Sequence, residues 1–120
     1  MKTCTCCGIE KDINKFGYSY GGASKTKKYY KSRCYSCSNR KKRYNLTYEE
    51  LSKLSKEDNC NICKGHLNNR YVIDHDHESG RVRGVLCDKC NLMLGHSNDN
   101  TEILFNAIKY LENEYTIRRT

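Results

Sequence analysis

The 120-residue chain has no proline, no tryptophan, only two phenylalanines, and no apolar run long enough to span a membrane. An apolar share of 37% cannot enclose a large core, so packing alone does not offset the entropy of ordering the backbone. One or two very small domains, held by something other than hydrophobic burial, are therefore expected. No apolar segment follows the opening Met1-Lys-Thr-Cys-Thr-Cys-Cys7, so no export signal is read and a secreted disulfide framework is not expected. The expectation is a cytoplasmic protein without a membrane partner.

What the chain does have is cysteine, nine in all. Cys4/Cys7, Cys34/Cys37, Cys60/Cys63 and Cys87/Cys90 form four C-x2-C pairs, the spacing that puts two thiolates on one metal ion. Two structural Zn2+ sites, each drawing on two pairs, are predicted. Cys7-Gly8 reads as a knuckle in which Gly8 turns the chain beneath the metal. Cys6 is left over, as a small buried or unpaired thiol.

The charge is uneven. The net value is +8, with 14 Lys+Arg against 6 Asp+Glu in residues 1–58 and 8 against 8 in residues 59–120. The surplus lies in Lys25–Arg33 and Arg40–Tyr44, where Lys27, Lys28, Lys31, Arg33, Arg40, Lys41, Lys42 and Arg43 alternate with tyrosines. Cations meet phosphates and tyrosines pack on sugars or bases, so these residues are candidate DNA contacts. A solvated basic face that aids solubility is the competing reading.

The pattern predicts a small α+β, zinc-stabilised fold in two parts: a basic zinc ribbon over 1–45 and a second unit over 46–120. In the first, the Gly/Ser/Lys/Tyr-rich middle is a hairpin or loose loop, and Asn39–Tyr44 a connecting stretch or short helix. In the second, Thr47-Tyr-Glu-Glu50 fits a capping box and starts a helix over about 47–57. Tyr71-Val-Ile reads as a strand, Glu78-Ser-Gly80 as a turn, and Arg81–Leu86 as the returning strand. A short helix follows from about Asp88. Asn98-Asp-Asn100 caps a last helix reaching about Tyr115. Its stripe of Ile103, Leu104, Ala107, Ile108 and Leu111 is expected to pack on the preceding unit, with homodimerisation through this helix as the alternative.

Asp74-His-Asp-His77 is the most unusual string. On a strand it places Asp74 and Asp76 on one face, His75 and His77 on the other. Such groups are costly to enclose unless a metal or partner satisfies them. A carboxylate holds a hard Mg2+-like ion, and a neutral imidazole accepts a proton from water, which is what phosphodiester hydrolysis requires. Arg81 and Arg83 alternate on the returning strand and, sharing a face, are candidates to hold the scissile strand's phosphates. His66 and His96 are expected to be exposed.

The ordered set Cys60-x2-Cys63, Asp74-His-Asp-His77 and Gly80-Arg-Val-Arg-Gly-Val-Leu-Cys-Asp-Lys-Cys-Asn91, followed by Leu94-Gly95, resembles the recombination endonuclease VII family of the His-Me (HNH-type) finger superfamily. The resemblance covers about 47–115. It implies a ββα-metal finger with flanking helices, largely phage-encoded, that hydrolyses DNA. It further implies that Cys60, Cys63, Cys87 and Cys90 bind structural zinc. Asp74 and Asn91 then hold a catalytic Mg2+ or Mn2+, His75 is the general base, and His77 contacts substrate or phosphate. The chain differs from the junction-resolving member of that family in its added N-terminal knuckle pair. A non-catalytic zinc-finger DNA-binding protein would explain the cysteines and the charge but would leave Asp74, His75 and Asn91 without a role. A protein-binding zinc module would explain neither.

Overall fold

Two knuckles of the same build organise the chain in a computed structural model that describes residues 1–113. In the first, the Gly8 N–H donates to the Cys4 carbonyl at 2.9 Å, with Gly8 in the left-handed region at φ +74°. In the second, the Lys64 N–H donates to the Cys60 carbonyl at 3.0 Å, with Lys64 at φ +64°. Glycine adopts that conformation without steric cost and lysine does not, so the second knuckle carries strain that the first avoids.

Each knuckle feeds an antiparallel hairpin, and each hairpin runs into a helix whose N-cap is a cysteine. In the first half, β1 (Lys2–Thr3) pairs with β2 (Glu10–Lys11) across the knuckle. The longer hairpin of β3 (Phe16–Gly21) and β4 (Lys27–Cys34) follows, and α1 (Tyr35–Tyr44) begins after Cys34. The basic run is thus helical. Lys41, Lys42 and Arg43 occupy its last turn, where the helix dipole favours cations, and Asn45 ends it at φ +52°. In the second half, β5 (Val72–His75) pairs with β6 (Val82–Leu86), and α3 (Asp88–His96) begins after Cys87.

Between the halves lies α2 (Tyr48–Ser55). Its capping box is present in full: Glu50 N–H donates to Thr47 Oγ1 at 3.1 Å, and Thr47 N–H to Glu50 Oε1 at 2.9 Å. Leu51 on this helix is fully buried and joins Phe16 and Val85 in one core that also holds Leu67, Tyr71, Ile73 and Leu86. Cys6 is buried beside it, its thiol directed at the Tyr48 carbonyl at 3.7 Å, and burial pushes that thiol's pKa up.

The last helix, α4 (Thr101–Glu112), is capped as its sequence requires, with Ile103 N–H donating to Asn100 Oδ1 at 3.1 Å. Its apolar stripe does not pack on the preceding unit, contrary to the sequence expectation. Leu104 is half-buried, but Ile103, Ile108 and Leu111 are exposed, as is Phe105. An amphipathic period records that a face is apolar, not what covers it. Tyr115, the expected end of this helix, lies outside the described residues.

Cys4, Cys7, Cys34 and Cys37 form one sulfur cluster and Cys60, Cys63, Cys87 and Cys90 another, all ligand atoms of each within 4.8 Å of one another. Four sulfurs at about 2.3 Å from a tetrahedral ion stand about 3.8 Å apart. The Sγ–Sγ separations of Cys4–Cys37 and Cys63–Cys87 are both 3.8 Å. Within each cluster the thiols are not equivalent. Burial works against the Cys60 thiolate, but N–H groups of Cys87, Cys63 and Ile62 outweigh it and bring its pKa down to about 6. Burial and the neighbouring sulfurs push Cys90 up to about 12. Only a bound cation lets all four ionise together, and zinc fits the donor set.

Protein purified without chelator is expected to carry two zinc ions per chain by elemental analysis, and Cys90→Ser one. Because the ligands must be thiolates, acidification should release zinc and the fold with it, monitored by circular dichroism. A folded, zinc-free protein at neutral pH contradicts this.

Candidate active site

The second cluster holds the β5–β6 hairpin against α3, and the cleft between them is where the titratable groups gather. A cleft of about 490 Å³ is lined by Tyr44, Asp74, His75, His77, Asn91 and Asp99, among others. Asp74 and His75 come from β5, and His77 from just beyond it. Asn91 comes from the first turn of α3, its N–H bonded to the Cys87 carbonyl at 3.0 Å. One thiolate ligand, Cys90, directly precedes it. Asn91 is therefore tied directly to the four-cysteine cluster.

The His75 ring lies 4.9 Å from that of His77 and 5.5 Å from Tyr44, which α1 brings across from the first half. Asp74 is only 8% exposed. Asp76 turns elsewhere: its Oδ1 accepts from the Glu78 and Ser79 N–H groups at 2.8 and 2.9 Å, closing the turn, and these bonds lower its pKa. The four-residue string thus divides into three groups that line the cleft and one that makes the turn.

The hairpin is not regular. Asp74 pairs with Gly84 but His75 pairs with Val82, so Arg83 is an extra residue in β6, a bulge. Strict alternation would give Arg81 and Arg83 one face. The bulge breaks it, and the two line different clefts. Arg83 forks onto Asp74, with Nε to Oδ2 at 2.6 Å and Nη2 to Oδ1 at 3.0 Å, and reaches Asp99 Oδ2 at 3.4 Å. Gly84 admits no side chain here: a Cβ would overlap Asn61 Oδ1, which accepts the Val85 N–H at 2.8 Å.

The basic residues divide as well. Arg33 lies over the Tyr48 ring at 3.8 Å, and Arg40 lies over Tyr71 at 4.6 Å while donating to its hydroxyl at 3.0 Å. These two guanidinium groups bind the halves together. Burial raises the Tyr71 phenol to about 12 despite Arg40 beside it, so it stays a neutral partner. Lys27, Lys28 and Lys31 sit on the exposed β3–β4 hairpin, and Lys42 and Arg43 on the exposed side of α1. His66, bonded to Asn68, and His96 are exposed as expected, though His96 borders the cleft. Tyr44 and Asp99 were not legible as site residues. Tyr44 reads as one more aromatic in a basic run, and Asp99 as part of a helix cap.

Asp74 and Asn91 offer carboxylate and carboxamide oxygens on a cleft open to water, a donor set that suits a hard divalent ion keeping several waters. Fold and cleft together define a zinc-clamped ββα-metal finger. A sequence description of recombination endonuclease VII matches residues 37–113. The chain belongs to that family. It is 46% identical over 55 residues to the "Gene 59 protein" of Mycobacterium phage D29, a match covering 43% of this chain and 33% of that protein. It is 44% identical over 57 residues to the "Gene 59 protein" of Mycobacterium phage L5, covering 45% and 35%. The chain thus spans about a third of the length of these phage relatives. The crystal structure of the ββα-Me type II restriction endonuclease Hpy99I is 29% identical with a TM-score of 0.43, over 92% of this chain and 64% of that one. Among the described residues, no helix is long and apolar enough to cross a membrane.

Gly84→Ala should force Asn61 away from the Val85 N–H and cost about 1–3 kcal/mol of stability. A thermal melt checks this, and an unshifted melting temperature contradicts the close contact.

Proposed function

We propose that this protein is a metal-dependent endonuclease that hydrolyses DNA phosphodiester bonds. The observation that carries the reading is the cleft that gathers Asp74, His75, His77 and Asn91 beside a four-thiolate cluster. His75 is the general base: its imidazole takes the proton of the attacking water. His77, exposed at the mouth of the cleft, contacts the phosphate. Asp74 and Asn91 would hold a Mg2+ or Mn2+ ion, which would supply positive charge to the phosphate oxygens and the leaving 3′-oxygen. Tyr44 packs beside His75 and limits its ring to orientations that face the cleft.

Residues 1–45 are the grip and residues 46–120 the cutting unit in this reading. Residues 13–48 contain ten Lys+Arg and no Asp or Glu. On the β3–β4 hairpin Tyr18 and Tyr20 are exposed, and Lys28 lies 4.0 Å over Tyr18, a surface of cations and aromatic rings that suits a nucleic-acid strand. Lys27, Lys28, Lys31, Lys41, Lys42 and Arg43 supply its charge, and Arg81 extends it beyond the hairpin. The mycobacteriophage relatives favour a phage-encoded protein that acts in the host cytoplasm. A second copy paired through α4 is proposed on the exposed Ile103, Ile108 and Leu111. A non-catalytic zinc-finger DNA-binding protein accounts for the charge but gives His75 and Asn91 nothing to do.

His75→Ala is expected to lower Mg2+-dependent plasmid nicking at least about 100-fold while zinc content and fold persist. Retained cleavage removes His75 from the mechanism. Replacing Lys27, Lys28 and Lys31 together by Gln should weaken DNA binding in gel shifts and reduce the salt slope by about 0.9 per lost phosphate contact. Unchanged affinity places the grip elsewhere.

A further inference from the structure

We infer that Arg83 and Asp99 are positioning residues that fix the Asp74 carboxylate for a divalent ion; the inference rests on the metal-dependent reading above. As the bulged residue of β6, Arg83 has no partner across the hairpin, and its side chain is free of the strand's alternation. It lies on Asp74 in a two-point fork, Nε to Oδ2 at 2.6 Å and Nη2 to Oδ1 at 3.0 Å. A planar fork on both oxygens sets the carboxylate's plane as well as its place. A carboxylate offers about four lone-pair sites, so the fork leaves others free on the cleft side.

Arg83 is itself held. Its Nη2 reaches Asp99 Oδ2 at 3.4 Å, and the same oxygen lies 3.8 Å from His77 Nε2. Asp99 stands in the left-handed turn after α3, at φ +55° behind Asn98 at φ +54°, with its N–H bonded to the Leu94 carbonyl at 2.9 Å. Non-glycine residues hold this conformation where the surroundings impose it. One helix thereby places both proposed ligands: α3 carries Asn91 directly and aims Asp74 through Asp99 and Arg83. Two carboxylates around one guanidinium leave a net charge of −1, which draws a cation and gives a phosphate little to bind. Arg83 therefore serves the metal side of the cleft rather than the DNA backbone.

The test titrates Mn2+ into the full, zinc-loaded chain by electron paramagnetic resonance, with circular dichroism and zinc content recorded for each variant. Arg83→Gln is expected to weaken Mn2+ binding about 10–100-fold. Arg83→Lys restores the charge without the fork and should recover only part of the loss. Asp99→Asn should shift affinity in the same direction by less, and it keeps the proposal testable should the Arg83 variants fold poorly. DNA affinity without added Mg2+ or Mn2+ is expected to stay unchanged in Arg83→Gln. Equal or tighter Mn2+ binding by Arg83→Gln, or a fall in its DNA affinity without added Mg2+ or Mn2+, overturns the positioning role. Asp74→Asn separates the two levels: if it binds Mn2+ as the wild type does, the metal site itself is wrong and the positioning role falls with it. If Asp74→Asn loses Mn2+ and Arg83→Gln does not, only the positioning role falls.

Discussion

Four sulfurs closing on one cation, those of Cys60, Cys63, Cys87 and Cys90, are the constraint on which the rest of the site depends. β5 and β6 form a two-stranded sheet with Ile73, Val85 and Leu86 as its buried apolar side chains. A pair of strands with so little to bury is marginal in water. The cluster ties the knuckle before β5 to the helix after β6, and the cleft is the space that this closure leaves. Asp74 and Asn91 lie 17 positions apart in the chain and share that cleft because Cys87 and Cys90 place α3 against the hairpin.

The same plan appears twice. Knuckle, hairpin and cysteine-capped helix recur in residues 4–44 and 60–96, but the side chains they carry differ. β3 and β4 hold no acid or imidazole, and Ser38 stands where the second copy has Asn91, directly after the last cysteine. In their place the first hairpin is longer and lined with tyrosine and lysine. One scaffold thus carries two different surfaces, because a four-thiolate metal cluster supplies the stability and leaves the hairpin surfaces free to vary. Arg33 on Tyr48 and Arg40 on Tyr71 then join the two copies through α2 and the core.

Much of this was readable from residues because it rests on local chemistry. Cysteine spacing carried the two clusters, Thr47 and Glu50 the start of α2, and the apolar strands on either side of Glu78-Ser-Gly80 the β5–β6 hairpin. What was not readable depends on partners distant in sequence. The bulge at Arg83 has no signature of its own; Gly84 is its one trace, and only the approach of Asn61 explains it. Arg33 and Arg40 look like any cations in a basic run until Tyr48 and Tyr71 arrive beneath them. The α4 stripe has the same period whether it is covered or bare. Asp99 was hidden by an equally good local use, since Asn98-Asp-Asn100 does contain the cap of α4, at Asn100.

In the proposed function, the zinc-held cleft brings Asp74 and Asn91 together as ligands of a second, harder cation. Crystals of the zinc-loaded protein grown with Mn2+, with diffraction recorded at the manganese edge, test it most directly. One manganese peak per chain is expected, with oxygens of Asp74 and Asn91 at about 2.0–2.3 Å. Manganese bound elsewhere, with Asp74 and Asn91 turned away from each other, would contradict it.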